Sequence, residues 1–100
     1  MTSFEYYFEK ESDDHVKRER ATAKELRSSQ WWKNRIGNGL CHYCKGRFKP
    51  KELTMDHIIP IIRGGTSTRR NVVPCCPKCN QQKKYLLPSE WAEYLDRMAD

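Results

Sequence analysis

The sequence predicts a small α+β domain, stapled by a pair of cysteine knuckles around a metal and flanked by helices at both ends. Three observations predict it. Two Cys-x-x-Cys turns, Cys41/Cys44 and Cys76/Cys79, stand 31 residues apart. Two short β-branched runs lie between them, and helical patterns lie before and after. Finally, the chain has 100 residues, 37% of them hydrophobic, and a mean hydropathy of −0.95. A chain this short and polar buries only a thin core and needs a covalent or metal staple.

Taken in order, residues 1–11 are aromatic without a clear period and read as a mobile or partner-dependent arm. Ser12-Asp13-Asp14 caps a helix through "HVKRERATAKELR", with acidic side chains at its positive end and a narrow apolar stripe of Val16, Ala23 and Leu26. Ser28 or Ser29 opens a second helix, "QWWKNRI", closed by Gly37 or Gly39. Trp31 and Trp32 read as packing anchors. "CHYCKGRF" is the first knuckle, "LTMDHII" a strand, and "PIIRGGTSTRRN" a loop broken by Pro60 and Gly64-Gly65. "VVPC" is a second short strand, and "PKCNQQKKYLL" a helix that Pro88 ends. In the last helix Trp91, Tyr94, Leu95 and Met98 fall at i, i+3, i+4 and i+7, a pattern expected to pack on the core. The organisation expected is a helical extension over 1–36 and a compact core with its C-terminal helix over 37–100.

Two Cys-x-x-Cys turns can place four thiolates around one ion, and four sulfurs complete a tetrahedron about zinc. Such a site has no open position, so one structural Zn²⁺ per chain is expected on Cys41, Cys44, Cys76 and Cys79. The alternative is two unrelated reduced pairs. Cys75 would break the two-residue spacing and reads as a small buried residue. His42 is expected to be a bystander inside the knuckle, and His15 a surface residue.

Net charge is +6, unevenly placed. Residues 31–87 hold twelve Lys/Arg against two Asp/Glu, whereas residues 1–30 hold six against seven and residues 88–100 one against four. Basic charge concentrated on the knuckle segment points to a polyanion. An anionic membrane is a poorer partner, because no basic helix has a broad apolar face. No apolar run approaches the ~20 residues of a membrane span, and the start lacks the basic-then-apolar order of a signal peptide. An intracellular, cytoplasmic location is expected, where thiols stay reduced.

Zinc does not account for Asp56, His57, Asn71 or Asn80. Asp56 and His57 are neighbours on a strand, so they can serve one site from different sides where the strand ends. A carboxylate is a hard ligand for Mg²⁺ or Mn²⁺, and imidazole is the natural neutral-pH base for activating water. Asn80 follows Cys79, so the knuckle fixes the helix turn that carries it. The plainer readings are a structural histidine, a turn residue at Asn71 and a helix cap at Asn80.

From Cys41 to Lys84 the chain resembles the HNH nucleases, through "DHIIP", "GGTSTRRNVVP" and "CPKCNQQK" in order. The resemblance implies a ββα-metal finger braced by a four-cysteine zinc. It implies Asp56 as a ligand of a catalytic divalent ion, Mg²⁺ or Mn²⁺, and His57 as general base. Asn71 would tie the loop and orient the histidine, and Asn80 would be the second metal ligand. Asn80 departs from members with His there, which implies weaker binding and a preference for hard ions. The implied activity is metal-dependent cleavage of DNA phosphodiesters, in a phage or mobile-element setting, with Arg63, Arg69, Arg70, Lys83 and Lys84 as candidate phosphate contacts. Phosphate contacts carry no sequence information, so nicking or cutting of double-stranded DNA with low specificity is expected. The alternative is a zinc-stabilised DNA-binding module without activity.

Overall fold

The computed structural model describes residues 10–99; the arm expected at the start of the chain lies, up to residue 9, outside the described residues. Helix α1 spans Asp13–Arg27, α2 Gln30–Ile36, strand β1 Thr54–His57, β2 Val72–Cys75, α3 Pro77–Lys83 and α4 Pro88–Met98. The fold is the small α+β arrangement expected. No helix among the described residues is long and apolar enough to cross a membrane.

The helix starts follow from local chemistry. The Ser12 hydroxyl accepts from the His15 N–H, and the Ser29 hydroxyl from the Trp32 N–H, each such cap contributing about 1 kcal/mol. Pro77 and Pro88 occupy first turns, where a missing N–H costs nothing. At α4 the Glu90 carboxylate reaches back to the Leu87 N–H at 2.9 Å.

β1 and β2 pair antiparallel, with Thr54 opposite Cys75, Asp56 opposite Val73 and His57 opposite Val72. A two-stranded ribbon leaves alternate N–H groups outside the ladder, so Pro74 is tolerated. The Pro74 carbonyl accepts from the His42 N–H at 2.9 Å, which docks the first knuckle on β2. Just before that knuckle Gly39 has φ +71°, and a Cβ there would overlap the Phe48 carbonyl oxygen. Only glycine fits.

The core is built on the cysteines: Cys41, Cys75, Cys76 and Cys79 cluster with Leu53, and Ile36, Tyr43 and Phe48 pack against them. Cys75 is thus the small buried residue expected. Trp32 is buried, whereas Trp31 is half-buried beneath the Arg69 guanidinium, 5.2 Å from its ring centre.

The expected apolar stripe of α4 needs correction. Trp91 is buried, meeting Tyr43 edge-on at 6.0 Å and stacking with Tyr94 at 5.5 Å. Leu95 and Met98, however, are 45% and 56% exposed, because only the first turns of the helix lie against the small body. His15 also differs from expectation. It is half-buried, and its Nε2–H donates to the Gly65 carbonyl at 3.0 Å.

Candidate active site

The four cysteine sulfurs lie within 4.8 Å of one another. Zn–S bonds of about 2.3 Å place tetrahedral sulfurs about 3.8 Å apart, and Cys44 Sγ and Cys76 Sγ are 3.9 Å apart. Backbone amides already serve these sulfurs: Cys76 N–H donates to Cys41 Sγ, Cys79 N–H to Cys76 Sγ and Gly46 N–H to Cys44 Sγ, each at 3.4 Å. Burial pushes the Cys41 thiol up, but amide donors from Cys44, Cys76 and Tyr43 outweigh it and bring the thiol down to about 7. Burial and the neighbouring sulfurs push Cys79 up. Four sulfurs this close together fit a divalent metal and are consistent with zinc. His42 is outside the set, as expected.

Cys76 has a second task. It is the N-cap of α3, so the metal cluster and the start of the helix carrying Asn80 share one residue.

On β1, Asp56 faces inward and is buried. Its Oδ2 accepts from the Tyr43 hydroxyl at 2.6 Å and faces the Lys83 ammonium at 3.2 Å. Lys83 Nζ also donates to the His57 carbonyl at 3.1 Å. Burial and the hydrogen bond to Asp56 push Tyr43 up, so it remains a protonated donor. With Oδ2 taken twice, Oδ1 is the carboxylate oxygen left for a metal.

His57 closes β1. Its Nε2 lies 2.9 Å from Ser67 Oγ. Ser67 is buried and held from α1: its Oγ–H donates to the Glu19 carbonyl and its N–H to Glu19 Oε1, both at 2.6 Å. Burial lowers the affinity of His57 for a proton below that of an ordinary histidine, with Asp56 opposing and Arg27 assisting. A neutral imidazole at neutral pH suits a base.

Asn71 pins the loop between the strands. Its Oδ1 accepts from the Ile59 N–H at 2.9 Å, and its Nδ2 donates to the carbonyls of Ile59 at 3.0 Å and Thr66 at 2.8 Å. The Asn71 carbonyl accepts from the Ile58 N–H at 2.8 Å, directly after His57. The loop folds so closely on itself that a Cβ on Gly65 would fall on the Ile59 carbonyl.

Asp56, His57 and Asn80 line one pocket, together with Arg20, Met55, Lys84 and neighbours. Asn71 does not line it; it braces the loop behind. Among the basic residues, Arg69, Arg70 and Lys84 are exposed. Lys83 and Arg63 differ from expectation. Lys83 is 1% exposed and is the internal counter-ion of Asp56. Arg63 makes two bonds to the Glu90 carboxylate, each at 3.0 Å, and one to the Tyr85 carbonyl. That pair joins the loop to α4 and holds Glu90 below its usual carboxylate range.

Sequence reading also missed Arg20. It lies on α1, among charges indistinguishable from a solvated helix face, yet it lines the pocket. Helical phase was the available signal: Glu19 and Arg20 stand three and four residues after buried Val16, on the side that Ala23 continues.

A family model described as HNH endonuclease matches residues 41–94. Over 57 residues the chain is 39% identical to the CRISPR-associated endonuclease Cas9 of Corynebacterium diphtheriae, an alignment covering 56% of this chain and 5% of that protein. The chain therefore spans a small part of the length of that relative.

Proposed function

Because the chain belongs to the HNH endonuclease family, we propose that it is a metal-dependent endonuclease that hydrolyses phosphodiester bonds in double-stranded DNA with low sequence specificity. The observation that carries this reading is the common pocket of Asp56, His57 and Asn80, with the cations of Arg20 and Lys84 on its rim. In this reading residues 37–100 are the nuclease core, residues 1–36 a helical extension, and Zn²⁺ is the ion of the four cysteines.

Hydrolysis needs a deprotonated water, a counter-charge for the phosphorane and a stabilised leaving oxygen. His57 takes the proton from water. Asp56 Oδ1 and the Asn80 amide oxygen would hold one Mg²⁺ or Mn²⁺, which supplies charge for the phosphorane and the leaving oxygen. Arg20, Lys84, Arg69 and Arg70 would bind phosphates along the strand, where each neutralised charge releases counter-ions without reading sequence. Asn71 keeps the loop, and through it the end of β1, in place.

One observation favours a rival reading. Lys83 already neutralises Asp56, as it would in a binding module that needs no catalytic ion. Supercoiled plasmid distinguishes the two. Nicking with Mg²⁺ or Mn²⁺ and none in the metal-free control supports the enzyme, and sequenced cut ends report its specificity. Salt-sensitive DNA binding without cleavage in any divalent metal supports the module.

A further inference from the structure

The sharing of Ser67 between His57 and α1 has a chemical consequence. A serine hydroxyl has one proton. Here that proton goes to the Glu19 carbonyl, which can only accept. Ser67 Oγ therefore has only lone pairs to offer His57, and the contact at Nε2 requires that Nε2 carry the hydrogen. In the neutral ring the lone pair is then on Nδ1, which has no protein partner among the described residues. The second bond, from the Ser67 N–H to Glu19 Oε1, holds the Ser67 backbone against α1.

We propose that Ser67, set by Glu19, is a positioning residue that fixes His57 in its Nε2–H tautomer and so makes Nδ1 the proton acceptor. Helix α1 is then a working part of the active site rather than an appendage. It precedes the span matched by the family model, and together with Glu11, just before its cap, it grips the loop through three residues. The Glu11 N–H donates to the Ile62 carbonyl at 2.9 Å, His15 Nε2–H to the Gly65 carbonyl at 3.0 Å, and Glu19 receives both bonds from Ser67. Within α1, positions 15 and 19 stand four residues apart, the spacing of one side of a helix. Asn71 holds the same loop from the other direction, through the Thr66 carbonyl.

The tautomer assignment stands on geometry alone; its value to catalysis rests on the nuclease reading. The test uses the full chain labelled with ¹⁵N-histidine, at a pH where His57 is neutral. Its imidazole resonances are identified as those missing from His57→Ala. His57 in the parent should show a protonated Nε2 and an unprotonated Nδ1. In Ser67→Ala the tautomers should mix and kcat for plasmid nicking should fall on the order of 10–100-fold, with KM for DNA little changed. Ser67→Thr, which keeps the hydroxyl, should restore both. Should Ser67→Ala fail to fold, Ser67→Cys takes its place, since a thiol is a weak partner.

A parent spectrum with Nδ1 protonated overturns the proposal, and so does an unchanged tautomer in Ser67→Ala or its substitute. The spectrum decides this whether or not plasmid is cut. A parent with the Nε2–H tautomer that cuts no DNA in any metal would instead sink the nuclease reading.

Discussion

The cysteine cluster and the Asp56/Asn80 pair are built on opposite plans, although Cys79 and Asn80 are adjacent in sequence. The cluster closes four soft ligands around one point, three of them buried, with amide donors already in place. The pair offers two hard oxygens, one on a buried carboxylate that shares its charge with Lys83 and one on an exposed amide. A closed site converts binding energy into folding energy; an open one leaves positions for water and phosphate. In the proposed reading the two tasks are separated by a single peptide bond, so the tight site would anchor the loose one.

The sharpest way to break this comparison is to open the closed site. Structural zinc contributes on the order of 10 kcal/mol to folding in small domains, so Cys41→Ser or Cys79→Ser should abolish cooperative unfolding by circular dichroism. Metal analysis of the folded parent should find one zinc per chain. Well-folded protein without zinc would end the distinction.

Next in size is His57→Ala, expected to lose roughly 10²–10⁴ of cleavage rate while keeping zinc and DNA binding. The pH profile carries a sign. Burial lowers the proton affinity of His57, so its neutral, active form persists below the ordinary pKa of about 6.5. The rising limb of rate against pH should lie on the acid side of that value. A limb displaced to alkaline pH would point to another base.

A smaller effect is expected at the open site. Asn80→His replaces a hard oxygen with imidazole, favouring Ni²⁺ or Co²⁺ over Mg²⁺, and Asn80→Ala should need more of any metal. Cleavage across a metal titration of the three proteins reads both. Identical profiles would mean that Asn80 does not touch the ion.

The smallest is away from both sites. Glu90→Gln weakens the Arg63 pair and should cost about 1.5–3 kcal/mol, the range for hydrogen bonds to charged groups. Because Glu90 is held below its unfolded value, the parent's advantage should be present above about pH 4.3. It should fade as pH falls through the lowered folded value. Urea melts of both proteins at pH 7 and pH 3 measure it.

Much of the fold was legible because it is local. Ser12, Ser29 and Pro77 mark helix starts that need only their own turn, and the cysteine spacing names its own geometry. The pocket was legible in part, through "DHIIP" and "CPKCNQQK". Lys83 was not, because in a Lys-Lys pair composition cannot tell the buried side chain from the exposed one. Phase could: Cys76, Cys79 and Lys83 stand at i, i+3 and i+7, one face of α3, and the cluster buries that face. Glu19 and Ser67 lie 48 residues apart, and no local pattern joins them; only tertiary packing does. Leu95 and Met98 failed the other way, since periodicity reports an apolar face but not whether anything lies opposite it.

The ammonium of Lys83 beneath Asp56 bears on the order in which ligands arrive. If Asp56 holds the catalytic ion as proposed, its carboxylate is already neutralised from inside, and the protein alone would offer a dication little net attraction. A DNA phosphate brought alongside adds the missing negative charge, and the dication in turn shields that phosphate from the carboxylate. Each ligand then tightens the other by the same factor, since such coupling is reciprocal. In the proposed reading metal and substrate would load as a synergistic pair, and the protein away from DNA would stay largely unarmed at modest metal concentrations.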